Sequence, residues 1–345
     1  MTAKVIAFFN NKGGVGKTSL VYHLAWMFAK LGKNIIAADL DPQANLTAAL
    51  VDEEELEQIW NKEDESSTIY RCLSPLIRGT GDISEPTIHI VDVDRRLGLI
   101  VGDLGLTNFE DQLSEVWPKC LDRDERSFRV TSAFWRMMQT SAEKHEADIV
   151  LIDLGPNLGA INRSAILSAD YVAVPLVPDL FSLQGLHNLG PKLRAWREGW
   201  EKRNKENPKK DEIPLPSGKM EFIGYIVMQH AERLDRPVRA YHRWIEQIPA
   251  EYRKSVMKEP EEIFPSVKED PHCIAMIKHY RSLVPMGQEA RKPIFLLKPG
   301  DGAIGSHAQA VSQAFKDFHK LAMEIARRAD VQLPQSATVS GVTEG

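Results

Sequence analysis

The chain has 345 residues, with 43 Lys plus Arg against 48 Asp plus Glu and a formal net charge of −5. Apolar residues make up 43% and charged residues 26%, enough core material to exclude disorder as the main state. The cysteines Cys72, Cys120 and Cys273 form no CxxC pair, so a zinc or iron–sulfur site has no basis; no apolar run nears the ~18 residues that span a bilayer.

Val5 to Phe9 is a short run of β-formers and predicts a buried strand. It is too short for a secretion signal, so a soluble, cytoplasmic protein is expected. A glycine-rich turn, Asn10 to Gly16, follows. Apolar spacing at Leu20, Leu24, Met27, Phe28 and Leu31 then predicts a helix over 17–31, ended by Gly32. Residues 34–40 read as a second strand. Further strands are predicted at 89–93, 97–101, 149–152, 171–177 and 221–228. Helices are predicted over 108–117, 128–144, 162–168, 183–200 and 304–328. This alternation predicts an α/β fold: a doubly wound, mostly parallel sheet flanked by helices. Residues 1–330 are expected to form one nucleotide-binding domain with insertions near 52–87, 201–219 and 249–271, the middle one a linker in part. Residues 331–345 are polar and expected as a flexible tail.

Chemistry concentrates at three strand ends. Lys12-Gly13-Gly14-Val15-Gly16-Lys17-Thr18-Ser19 lies between the first strand and the first helix. Glycines there let backbone N–H groups converge on phosphate oxygens, and the helix N-terminus adds partial positive charge. Lys17 is expected to neutralise the β- and γ-phosphates, and the Thr18 hydroxyl to ligand Mg²⁺. The general pattern G-x-x-x-x-G-K-[ST] fails at Asn11, and a second lysine, Lys12, opens the loop instead. Asp39-Leu40-Asp41-Pro42-Gln43-Ala44-Asn45 ends the second strand, where carboxylates point into the ligand crevice of a parallel sheet. Asp148 to Asp153 is an apolar strand closing on an acid, a Walker B pattern whose Asp153 would hold Mg²⁺.

The departure at Asn11 and Lys12 resembles the deviant Walker A motif of the ParA/MinD family of P-loop ATPases, closest to the partition type. The resemblance implies that Lys12 reaches across a dimer interface to the partner's nucleotide. It implies that Asp39, Asp41, Pro42, Gln43 and Asn45 form the first switch, with Asp41 positioning the attacking water and organising Mg²⁺. Ala44 stands where the family carries glycine. The second switch begins at Gly155-Pro156, where the family has two prolines. Asp170 to Pro175, Ser182 to Leu186 and Arg291 to Ile294 resemble later family segments. The implied cofactors are ATP and Mg²⁺. The implied behaviour is slow ATP hydrolysis with Lys12, Lys17 and Asp41 as catalytic groups, ATP-dependent homodimerisation, non-specific DNA binding and stimulation by a ParB-like or other partner protein. No basic amphipathic tail of the membrane-positioning type is present, so no membrane partner is expected.

The net charge hides an uneven spread. Residues 52–65 hold eight acids against Lys62 alone, and the remainder of the chain is slightly basic. Arg236, Arg239 and Arg243, spaced three and four apart, are the candidate DNA contacts; a solvated surface face is the other reading. The competing function is a nucleotide-gated scaffold that binds a protein partner instead of DNA. The acidic block, expected as a solvated helix or a loop, fits that reading better.

Overall fold

The computed structural model describes residues 3–334, other than 63, 93, 231–242, 261, 263 and 265. Eight strands form one sheet: β1 (Lys4–Phe8), β2 (Ile35–Asp39), β3 (His89–Ile90), β4 (Leu97–Ile100), β5 (Ile149–Asp153), β6 (Tyr171–Leu176), β7 (Glu221–His230) and β8 (Cys273–Lys278). Their order is β3-β4-β2-β5-β1-β6-β7-β8, and every pairing is parallel except β3 with β4. The strands read as continuous apolar runs because both faces are covered. Val5, Ala7, Ile36, Ala38, Val150 and Ile152 pack into one core, while Ile6, Phe8, Ile35, Ala37, Ile149 and Leu151 pack into the other.

One face carries α4 (Ile69–Arg78), α5 (Phe109–Lys119), α6 (Glu125–Thr131), α7 (Ala133–Lys144), α8 (Ala160–Leu167) and α9 (Leu180–Lys205). The other is covered by α1 (Lys17–Lys30) and α12 (Ser306–Arg328). Short helices α2 (Asn45–Leu50), α3 (Glu53–Asn61), α10 (Ile248–Tyr252) and α11 (Leu283–Ala290) complete the described set. The doubly wound, mostly parallel sheet expected from the alternation is the observed fold.

Several local expectations are corrected. The third strand is only two residues long and antiparallel. The helix expected over 128–144 breaks at Ser132, whose hydroxyl donates to the Phe128 carbonyl at 2.8 Å and competes with the helical ladder. Residues 201–219 are no free linker. Helix α9 runs on to Lys205, and the return segment is anchored by buried Ile213 and by Trp200, whose indole donates to the Pro216 carbonyl at 2.9 Å. The sequence predicts no strand at β8, because its half-buried edge position gives neither a continuous apolar run nor strict alternation. The acidic block folds as α3: Asp52 caps it by accepting the Glu55 N–H at 2.8 Å, and Leu56 anchors it. Val331 and Leu333 pack against the core at the start of the expected tail.

Candidate functional site at the carboxyl edge of the sheet

The sheet order brings the three motifs together, since β2, β5 and β1 are neighbours and each motif follows one of them. Asp39 and Asp153 are register partners on β2 and β5. The loop after β1 is shaped by glycines at φ +72° (Gly14) and +89° (Gly16), where a β-carbon would be strained. Gly16 is the N-cap of α1 and offers no side-chain cap, and no acid occupies the first turn. The free N–H groups and the positive end of the helix dipole are left for an anion. Gly13, Gly14 and Ser19 are exposed and Val15 is buried. Lys17 is buried, and its ammonium donates to the Lys12 carbonyl at 3.2 Å. Burial lowers its pKa, partly offset by the nearby Asp153 and Asp41 carboxylates.

The three carboxylates differ in how their oxygens are used. Asp39 accepts the Thr47 N–H at 2.8 Å and the Asp41 N–H at 3.3 Å. Asp41 accepts the Gln43 N–H at 3.0 Å. Asp153 is fully buried, and neither of its oxygens accepts a well-formed hydrogen bond. Burial pushes its pKa well up and Asp39 adds to the shift, while the nearby Thr18 hydroxyl and Lys17 offset part of it. A bare, buried carboxylate beside a hydroxyl and a phosphate cradle is the donor set a hard cation needs. Among the described residues no three or more His, Cys, Asp or Glu side chains converge as a closed metal cage. Mg²⁺ keeps waters and takes substrate phosphate oxygens beside one or two protein ligands. The residues present therefore fit Mg²⁺ with a nucleoside triphosphate: Thr18 and Asp153, with Asp41 close by, for the cation, and the loop from Lys12 to Ser19 for the phosphates.

Lys12 does not point at the phosphate cradle of its own chain. Its ammonium donates to Asp179, the N-cap of α9, which also accepts the Ser182 N–H at 2.8 Å. It lies 5.9 Å from the centre of the Phe181 ring. Phe181 is 71% exposed and Leu180 45%, so an apolar patch flanks the lysine on the outer surface.

The two departures from the family pattern have physical counterparts. Ala44 sits at φ +51°, in the left-handed region that glycine occupies at little cost. A β-carbon on Gly155 would lie 3.1 Å from Asp41 Oδ1, so the glycine makes room for the Asp41 carboxylate. Pro42, Gln43, Asn45 and Pro156 lie at or near the surface of the two loops. Arg243 is exposed, with its guanidinium 4.8 Å from the Trp244 ring centre; Arg236 and Arg239 lie outside the described residues.

Other site residues gave no signal in the sequence. Asn10 donates to the Pro175 carbonyl at 2.7 Å and accepts the Lys12 N–H at 2.9 Å, tying the loop to β6. His23 is buried against Phe318. Its Nδ1 lies 2.6 Å from the Ser19 carbonyl and so carries the proton, leaving Nε2 to accept the Ile294 N–H at 3.3 Å. An open groove of about 510 Å³ runs from Thr18 and Ser19 past Tyr22 to Gln288 and Arg291.

Known proteins agree with this geometry. A family model described as an AAA domain matches residues 3–205, well over half of the chain. The sporulation initiation inhibitor protein Soj of Bacillus subtilis is 28% identical over 187 residues, covering 54% of this chain and 63% of Soj. The chromosome partitioning protein ParA of Myxococcus xanthus is 28% identical, covering 57% of this chain and 60% of its own length. The chain thus spans less than two thirds of these two relatives. Among solved structures, a Corynebacterium diphtheriae protein superposes with a TM-score of 0.68 at 22% identity, covering 94% of this chain and 98% of that one. A putative plasmid partition protein of Borrelia burgdorferi, solved with AMPPNP, gives 0.59 at 18% identity, covering 94% and 99%. These structural likenesses speak to the fold. Taken with the family model and the two lysines of the loop, they place the chain in the ParA/MinD family of P-loop ATPases.

Proposed function

We propose that the chain is a slow, Mg²⁺-dependent ATPase switch of the partition type, which dimerises with ATP and releases its partner copy after hydrolysis. The observation that carries this reading is the buried Asp153 with both oxygens bare, beside Lys17 and Thr18 at a glycine cradle. Lys17 and the loop N–H groups bind and orient the triphosphate. Mg²⁺, when bound, supplies neutralising charge at the phosphates, with Thr18 and Asp153 as its protein ligands. Asp41 orients the attacking water toward the γ-phosphorus; the bond to the bridging oxygen breaks, leaving ADP and phosphate. Among the described residues no stronger base stands nearby, which suits slow turnover raised by a ParB-like or other partner protein.

Dimerisation is supported by the exposed Phe181 and Leu180 beside Lys12. In the dimer Lys12 leaves Asp179 for the partner's phosphates. The names of the relatives, chromosome and plasmid partition proteins, support DNA or a DNA-bound cargo as the object being positioned. Non-specific DNA contact through the Arg236, Arg239 and Arg243 segment belongs to the same reading.

Two experiments test it. Lys17→Ala is expected to abolish ATP binding in a fluorescent-nucleotide titration; normal binding overturns the site. DNA binding with ATP at low and moderate salt is compared for the wild type and Arg239→Ala/Arg243→Ala. Loss in the variant, and a steep salt dependence in the wild type, are expected. No ATP-dependent binding at low salt transfers the proposal to a scaffold that docks a protein partner. The exposed acidic face of α3, which begins eight residues after Asn45, is the feature that favours that alternative.

A further inference from the structure

The loop that follows Asp153 is held by a single side chain from the helix it leads into. Asn162, in the first turn of α8, is 1% exposed. Its Nδ2 donates to the Gly155 carbonyl at 2.8 Å and to the Asn157 carbonyl at 2.7 Å. It also lies 3.1 Å from Asn157 Oδ1, which accepts the Gly159 N–H at 2.9 Å. At the far end of the loop, Glu110 of α5 accepts the N–H of Ala160 and, at 2.8 Å, that of Ile161. It supplies the cap that Gly159 cannot.

The near end of this loop touches both other motifs. The space over Gly155 holds the Asp41 carboxylate, and the Pro156 ring lies 3.8 Å from where a β-carbon on Gly13 would stand. Directions of the Gly155 and Asn157 carbonyls therefore decide how closely the loop sits against the first switch and the phosphate cradle.

We propose that Asn162 is the positioning residue of the second switch: its amide sets the Gly155 and Asn157 carbonyls, and so the loop, between Asp41 and Gly13, while Glu110 fixes the loop's end. The inference rests on the ATPase reading above and adds a residue to it. The Asn162 Oδ1 is buried without a partner. The clamp is incomplete, and a loop arrangement that turns an N–H toward Oδ1 is better bonded. That makes Asn162 a pivot between two loop arrangements.

The test uses the full chain with ATP and Mg²⁺. Asn162→Asp keeps the shape, but its carboxylate repels both carbonyls. Turnover is expected to fall about tenfold or more, while affinity for a fluorescent ATP analogue stays within about threefold of the wild type. Asn157→Ala, on the surface, loosens the same loop without touching the core and is expected to lower turnover about threefold at unchanged affinity. Wild-type turnover in a folded Asn162→Asp overturns the proposal, as does a parallel loss of turnover and affinity. Should Asn162→Asp not fold, wild-type turnover in Asn157→Ala overturns it instead. If the wild type itself neither binds nor hydrolyses ATP, the ATPase reading falls and takes this inference with it. If Lys17→Ala loses ATP binding while Asn162→Asp turns over normally, only the inference falls.

Discussion

Asp39 and Asp153 are neighbours in register on adjacent strands, both fully buried, and they end in opposite circumstances. The oxygens of Asp39 are taken by its own chain: Thr47 and Asp41 donate backbone N–H groups to it. It organises the loop after β2 from inside. Asp153 ends its strand with both oxygens unclaimed. One carboxylate is a fixture of the fold, and the other is the one proposed to hold the cation. Sequence position does not separate them; the use of their lone pairs does.

The largest expected effect lies at Asp153. In Asp153→Ala, ATP turnover is expected to fall by about a hundredfold or more, since the cation loses its protein carboxylate. The nucleotide-free protein is expected to gain about 1–3 kcal/mol in urea unfolding, because a buried carboxyl whose oxygens accept no well-formed hydrogen bond is removed. Asp39→Ala is expected to move stability the other way, a loss of about 3 kcal/mol, as two backbone donors are left unpaired. Equal destabilisation by both variants would break the comparison.

A third prediction concerns pH. Burial holds the His23 imidazole at a pKa of about 4, against an ordinary 6.5. The unfolded chain takes up a proton near pH 6.5, and the folded chain resists until about pH 4. The stability associated with neutral His23 is therefore complete above pH 6.5 and lost progressively as pH falls toward 4, by up to about 3 kcal/mol. Urea midpoints at pH 7 and pH 5 for the wild type and His23→Asn check it. The two proteins are expected to differ in slope, and parallel curves would contradict the assignment.

The smallest effect is at Ala44. Its left-handed backbone strains a β-carbon, so Ala44→Gly is expected to stabilise the nucleotide-free chain by about 1 kcal/mol. A thermal midpoint lower than that of the wild type would show that the loop gains from the stiffer residue.

What the sequence disclosed follows from how local each feature is. The loop from Lys12 to Ser19 was legible because its glycines, lysines and flanking elements are contiguous. The parallel sheet was legible because both-face burial makes continuous apolar runs. Asn10, His23, Asp179 and Glu110 were silent because they act on partners distant in the chain: Asn10 on Pro175, His23 on Ile294, Asp179 on Lys12, Glu110 on Ile161. A lone polar residue carries no trace of such a partner until the fold closes. Asp39 was legible as part of the acidic segment closing the second strand, yet its service to Thr47 was not, for the same reason.

The proposed roles of Asp153 and Lys12 have one joint consequence: ATP with Mg²⁺ is expected to join two copies of the chain. Static light scattering of the Asp41→Ala protein, slow to hydrolyse by design, measures this with ATP–Mg²⁺ and with ADP. A doubling of mass with ATP alone is the predicted result; a monomer at every protein concentration with either nucleotide would contradict the account.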